Sequence, residues 1–316
     1  MSLLRPPLNH PENPDTQNLP DVDESPRLSN LKSEFEPDSS PYLTLPSPPL
    51  RIPNLGHALL FVAFTGSILL LTELLLLLLG KSPASLQGGV ITIAHPRLQL
   101  ASQAATYLSV LVAAWFFYPV LWHRTFLEGI RWDWPTARRH APRLIALGFV
   151  LGMMVQAVTY FITPPKTLPI DDFFLTATDA WLITFFGTIV APIFEEICFR
   201  GFLVPAFAIA YDWLSLPRTP EAVLLWRSTT TLSTTSFVFS GFVTSVFFAW
   251  LHAAQLGHTW AAVAVLLCVS FLFTWVRWRT QSVACSALLH ATYNFAVFVS
   301  AFIASGGYRH LDKLTR

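Results

Sequence analysis

The residues able to do chemistry in this chain sit where polar groups are expensive. Glu195, Glu196 and Arg200 lie within Ala191-Pro-Ile-Phe-Glu-Glu-Ile-Cys-Phe-Arg-Gly201, His252 closes Phe248-Ala-Trp-Leu-His252, and His290 and Asn294 frame His290-Ala-Thr-Tyr-Asn294. All three stretches belong to long apolar runs, and Glu73 and Gln156 lie in two others. A charged side chain at bilayer depth costs about 2.5–3.5 kcal/mol on insertion scales, so each such group needs a reason to be there. Carboxylates and imidazoles move protons, and imidazoles and amides donate hydrogen bonds.

Helix geometry sorts these groups. Glu196 and Arg200 are four residues apart, share a helix face and can form an ion pair. Glu195 is rotated from Glu196 by about 100° and is left for chemistry. His290 and Asn294 share a face, as do Phe248 and His252. Taken singly, a membrane histidine or asparagine reads as glue between helices. Gln156 reads the same way, and Glu73 reads as a bundle-facing residue. Glu195, His252 and His290 together could also form a zinc site of two histidines and one carboxylate, although no HExxH helix supplies the usual spacing.

The elements that must carry these groups are membrane helices. Apolar runs of the length a bilayer demands, about 20 residues, cover His57 to Leu79, about Leu98 to Leu121, about Leu144 to Ile162, Ala180 to about Trp213, about Ser236 to Ala254, about Trp260 to Val276 and about Val283 to Ala304. The expected fold is all-α: a polytopic transmembrane bundle of about seven helices, within a range of about six to eight. Glu195 precedes Trp213, and His252 follows Ser236, by a distance of roughly 25 Å along each helix, measured from the same loop. His290 and Asn294 lie roughly 10–20 Å into a helix entering from that side. If the three helices pack together, the groups meet in one cavity.

Lysine and arginine mark the cytoplasmic loops. Arg124, Arg131, Arg138, Arg139 and Arg143 place 122–143 inside, as do Arg218 and Arg227 for the next connection and Arg277 and Arg279 for the last. The acidic Asp171, Asp172 and Asp179 suit the outside, so the N-terminus is expected in the cytoplasm. Arg309, Lys313 and Arg316 in the C-terminal tail oppose this count.

Composition agrees with a membrane protein. Of 316 residues, 53% are hydrophobic and only 12% charged, against about a quarter charged in soluble proteins. A net charge of +1 offers no electrostatic footprint for nucleic acid. Cys198, Cys268 and Cys285 fall in apolar stretches and read as free thiols. Residues 1–53 are rich in Pro, Ser, Asn, Asp and Glu and read as a disordered acidic tail, followed by a transmembrane domain over 54–310. The first apolar run is too long and too far along the chain for a cleaved leader and is expected to act as the insertion signal.

In order along the chain, Glu195-Glu196-x-x-x-Arg200, Phe248-x-x-x-His252 and His290-x-x-x-Asn294 resemble the CPBP intramembrane peptidases, also called the Abi or CAAX-protease and bacteriocin-processing family. The resemblance covers about residues 140–304. It implies an intramembrane glutamic endopeptidase in which Glu195 and His252 activate water. His290 and Asn294 would stabilise the oxyanion, and Glu196, Arg200 and Phe248 would support the cavity. The substrate class implied is a peptide, or a lipidated or membrane protein such as a prenylated CAAX tail, met in contact with membrane lipid. No cofactor is implied, which ranks the zinc site second. The resemblance also suggests a prokaryotic plasma membrane. A reading from another class is a non-catalytic scaffold or bacteriocin-immunity protein that binds a partner through the same cavity. The interval between the first two motifs is long and holds a polar insert near Ser215 to Thr235.

Overall fold

A computed structural model of the chain describes residues 50–79, 84–87, 90–93, 96–162 and 169–314. The tail expected over 1–53 lies outside the described residues except for its last four positions. Helices α1 (Leu55–Leu78), α2 (Pro96–Trp122), α3 (Phe126–Gly129), α4 (Trp134–Thr159), α5 (Ala177–Ser215), α6 (Pro220–Ser228), α7 (Thr234–Leu251), α8 (Trp260–Thr280) and α9 (Val283–Ala304) follow in order. Seven of them, all but α3 and α6, are long and apolar enough to cross a membrane. The side chains that α1 turns outward, among them Leu70, Leu71, Leu75 and Leu78, are more than half exposed. So large an apolar surface is intolerable in water and natural in lipid. One short antiparallel hairpin, β1 (Ala84–Gln87) with β2 (Val90–Ile93), joins α1 to α2.

Local chemistry sets the helix ends. Asn54 caps α1 reciprocally with His57: Asn54 Oδ1 accepts from His57 N at 3.2 Å, and Asn54 N donates to His57 Nδ1 at 3.1 Å. Asp133 caps α4 by accepting from the Thr136 backbone N–H at 3.0 Å, and Pro135 sits in the first turn. The Thr136 hydroxyl and N–H hold the Asp133 carboxyl below the usual carboxylate range. This cap starts the third span ten residues before Leu144, which corrects the expected boundary and puts Arg138, Arg139 and Arg143 on helix rather than in a loop. The insert near 215–235 is likewise not all loop, because Thr219 caps the short helix α6 within it.

Two devices bring the site helices together. The α4 and α9 backbones approach at glycines. A Cβ on Gly148 would stand 2.7 Å from Thr292 Cβ, and one on Gly152 would stand 2.7 Å from Ala296 Cβ. Small residues permit such contact where no hydrophobic effect drives helices together. At the other device, the Asp212 carboxylate near the end of α5 accepts from Ser233 N at 3.0 Å and Ser233 Oγ at 2.6 Å, which fixes the start of α7. Higher up, Ser240 Oγ donates to the Val204 carbonyl at 2.5 Å.

Helix α5 is not a uniform α-helix. Its backbone widens into π-helical turns at Phe186–Val190 and Ile197–Leu203, and Pro192 and Pro205 lie just past these turns. Ala191 N–H reaches back to the Phe186 carbonyl, five residues away. Gly187 then has neither partner: its α-partner Ala191 is committed, and its π-partner Pro192 has no N–H. The carbonyl freed in this way is used by the site.

Candidate active site

Glu195 and Glu196 lie between the two widened turns of α5 and face different environments. The Glu196 side chain is fully buried. Its Oε1 accepts from Arg200 Nη1 at 2.9 Å and from His290 Nδ1 at 3.0 Å. Arg200 Nη2 donates to the Ser270 carbonyl at 2.8 Å and to Ser270 Oγ at 2.7 Å. The guanidinium carbon stands 5.0 Å from the Phe248 ring centroid and 5.4 Å from that of Phe273, close enough for cation–π attraction. This i,i+4 ion pair is the one the spacing implies.

Glu195 is 16% exposed, and its Oε2 lies 3.9 Å from His252 Nε2 and 3.9 Å from His290 Nε2. Both distances exceed a hydrogen bond. His252 closes α7 as its C-cap rather than sitting within the helix, as the apolar run had suggested. Its Nδ1 lies 2.7 Å from the Phe248 carbonyl. A carbonyl oxygen can only accept, so Nδ1 carries the hydrogen, and when the ring is neutral its Nε2 lone pair is turned towards Glu195. Phe248 thus acts twice: its carbonyl sets the tautomer, and its ring packs against His252 with centroids 4.5 Å apart.

His290 is 4% exposed, with its ring stacked on Phe273 at 4.5 Å. Its Nδ1–H is committed to Glu196, so Nε2 donates only when the ring is an imidazolium. Asn294, one turn further along α9, uses Nδ2 to donate to the Gly187 carbonyl at 2.7 Å. This carbonyl is the one left unpaired by Pro192. The second amide hydrogen of Asn294 is left for another acceptor.

Glu195, Glu196, Arg200, Phe248, His252 and His290 therefore belong to one contiguous cluster, and Asn294 stands one turn along α9 from His290. Glu73 and Gln156 do not join it. Glu73 is half-buried on α1 without a hydrogen bond or ion pair among the described residues. Gln156 donates to Gly152 of its own helix at 3.2 Å, so the expected bond between helices is absent there. Cys198, Cys268 and Cys285 are free thiols. Among the described residues, no group of three or more His, Cys, Asp or Glu is arranged to hold a metal ion.

The structure adds residues that the motifs do not contain. Tyr107 of α2 stacks on Phe194, with centroids 3.8 Å apart and planes 5° from parallel, and lies near enough to Glu195 to feel its charge. Gln103 Nε2 donates to the Tyr107 hydroxyl at 3.0 Å and leaves the phenolic hydrogen free. Gln103 and Tyr107 are four residues apart within an apolar run, and that pairing was the available signal. Ser270 and Phe273 of α8, which seat Arg200, carried none.

A family model described as Type II CAAX prenyl endopeptidase Rce1-like matches residues 177–296. No curated protein and no solved structure matches the chain significantly. The matched stretch opens with α5 and extends past Asn294, so it contains both glutamates, Arg200, Phe248, His252, His290 and Asn294. Over this stretch, which carries all three ordered motifs, the chain is similar to the type II CAAX prenyl endopeptidases.

Proposed function

We propose that the protein is an intramembrane endopeptidase that hydrolyses a peptide bond with a water activated by Glu195 and His252. The observation that supports this most is the 3.9 Å gap between two acceptors, Glu195 Oε2 and the Nε2 lone pair of His252. Neither can donate to the other. A water between them, at about 2.8 Å from each, satisfies both with its two hydrogens and points its oxygen lone pairs away for attack. As the water adds to the scissile carbonyl, its proton passes to this pair and then to the departing amine. The oxyanion is met by His290 as the imidazolium and by the second amide hydrogen of Asn294. Glu196 and Arg200 act as positioning residues: their mutual charge neutralisation keeps the cavity wall intact, and Glu196 orients His290.

The substrate class we infer is a peptide or a lipidated protein tail that reaches the cluster from the membrane. The test is cleavage by purified full-length protein in liposomes, with a farnesylated CAAX peptide and tails of small membrane proteins as substrates. Turnover is expected, and it should persist after dialysis against a tight chelator. With both rings neutral, the Nε2 atoms of His252 and His290 facing Glu195 would also suit a metal. Activity lost to the chelator and restored by zinc would replace water activation by the side chains with a metal-bound water. Absence of turnover on every substrate by well-folded protein would favour the scaffold or immunity reading.

The charge pattern supports an orientation with the arginine-bearing ends of α2, α4, α5 and α8 in the cytoplasm. Arg227 in α6 and His258 after α7 are both exposed and mark opposite ends of α7. A cysteine at Arg227 should be labelled by an impermeant reagent only after permeabilisation, and one at His258 without it. The reverse pattern would turn the His258 end, where the cluster lies, towards the cytoplasm.

A further inference from the structure

We propose that a second site, on the arginine-bearing face, binds a phosphate group. A cavity of about 90 Å³ is lined there by Arg51, Arg124, Arg131, Arg277 and Glu128, and is floored by Pro205 and Ile209. It is separate from the peptidase cluster. Arg277 follows Ser270, the seat of Arg200, by two turns of α8, about 10 Å further towards the helix end.

The decisive residue is Arg277. Its side chain is 3% exposed, yet Nε and Nη1 have no hydrogen-bond partner among the described residues. Arg131, a like charge, lines the same cavity. Arg131 is occupied with Gln281 Oε1, at 2.5 Å. The one carboxylate at the cavity, Glu128, is already used: its Oε2 accepts from Thr125 N at 3.1 Å in a helix cap. Arg51 directs Nη2 to the Trp226 and Thr229 carbonyls. The cavity therefore gathers four guanidiniums against a single carboxylate, with no ion pair to Arg277 among the described residues, and a buried cation without a counter-charge is unfavourable unless a ligand completes it.

The missing partner is an anion small enough for the space and rich in acceptor oxygens. A phosphate group fits, because its oxygens match the forked N–H donors of arginine. The position favours it too. Arg124 and Arg131 flank the connection between α2 and α4, and Trp132, Trp134 and Trp278 lie within three residues of Arg131 or Arg277 along the chain. Tryptophans mark the headgroup layer, and basic pockets between membrane helices at that depth take lipid headgroups.

The experiment measures the melting temperature of delipidated, detergent-solubilised full-length protein at fixed ionic strength. One arm titrates inorganic phosphate against chloride, and the other adds micelles of phosphatidic acid against phosphatidylcholine. Native mass spectrometry counts the lipid retained. Arg277→Met removes the buried cation at similar volume. Arg124→Gln changes an exposed rim residue and should leave folding intact. Wild type should be stabilised, and both variants should bind at least about tenfold more weakly, the loss of one charge-assisted contact. Stabilisation by phosphatidic acid alone identifies a headgroup site, and stabilisation by both probes identifies a general phosphate site. A wild-type melting temperature unmoved by either probe overturns the proposal, as does an equal shift in wild type and both variants.

Discussion

Glu195→Gln should abolish peptide hydrolysis and leave the fold standing. General-base catalysis contributes about 10²–10⁴-fold, and an amide of the same shape cannot take a proton. Glu195 makes no hydrogen bond among the described residues, its approaches to the two histidines being 3.9 Å, and it is partly exposed. The melting temperature should therefore stay near that of wild type. His252→Ala should lose a similar factor, because the gap then keeps only one acceptor for the water. The double variant should be little worse than either single one, since residues acting as a unit are not additive. The measurement is kcat on the cleaved peptide in liposomes, together with a thermal melt of each protein. A Glu195→Gln enzyme within about tenfold of wild type would remove Glu195 from the proton-transfer role.

Loss of one member of the Glu196–Arg200 pair should act on stability first. Both side chains are essentially inaccessible, at 0% and 1% exposure. Deleting one partner of a buried pair strands the other charge and typically costs about 3–5 kcal/mol. We expect a loss of that order for Arg200→Met, which leaves the Glu196 carboxylate beside His290 and Ser286 without its arginine. Glu196→Gln keeps an acceptor for His290 Nδ1 and for Arg200 but removes the neutralising charge, so its loss should be smaller. The double variant Glu196→Gln with Arg200→Met should recover part of the loss, as neutral groups need no counter-charge. Unfolding free energies of the four proteins in mixed micelles form a cycle whose coupling term isolates the pair. Single variants as stable as wild type would mean that water reaches the pair and screens it. The contrast with Glu195 is the useful one: adjacent carboxylates should give opposite phenotypes, one catalytic with an intact fold and the other chiefly structural.

The two glutamates also show how far the amino-acid sequence reaches. The membrane spans follow from it directly, because burying about 20 consecutive apolar residues in lipid needs no tertiary context. The seven runs map onto the seven long helices. The Glu196–Arg200 pair follows as well, since an i,i+4 contact depends only on local helix geometry, and it survives the wider turn that begins at Ile197. The ordered motifs likewise sufficed to indicate the likeness that the family model finds over residues 177–296.

The tertiary structure decided what each polar group faces. Which carboxylate meets His252 and His290 depends on how α7 and α9 dock on α5, and the glycine contacts of α4 with α9 set part of that docking. Asn294 finds the Gly187 carbonyl only because the widened turn and Pro192 together leave it unpaired. Tyr107 comes from a helix with no motif, so only packing could bring it onto Phe194, next to Glu195 in the chain, with Gln103 bonded behind it. The start of α4 rested on a cap that hydrophobicity does not register, since Asp133 and Pro135 act through backbone hydrogen bonding. Arg277 looked like one more loop-end arginine in the sequence. Its burial in one cavity with Arg131, without an ion pair among the described residues, is created by segments far apart along the chain. Local spacing dictates which groups share a helix face, whereas partners across helices are chosen by packing, which no single run of residues encodes.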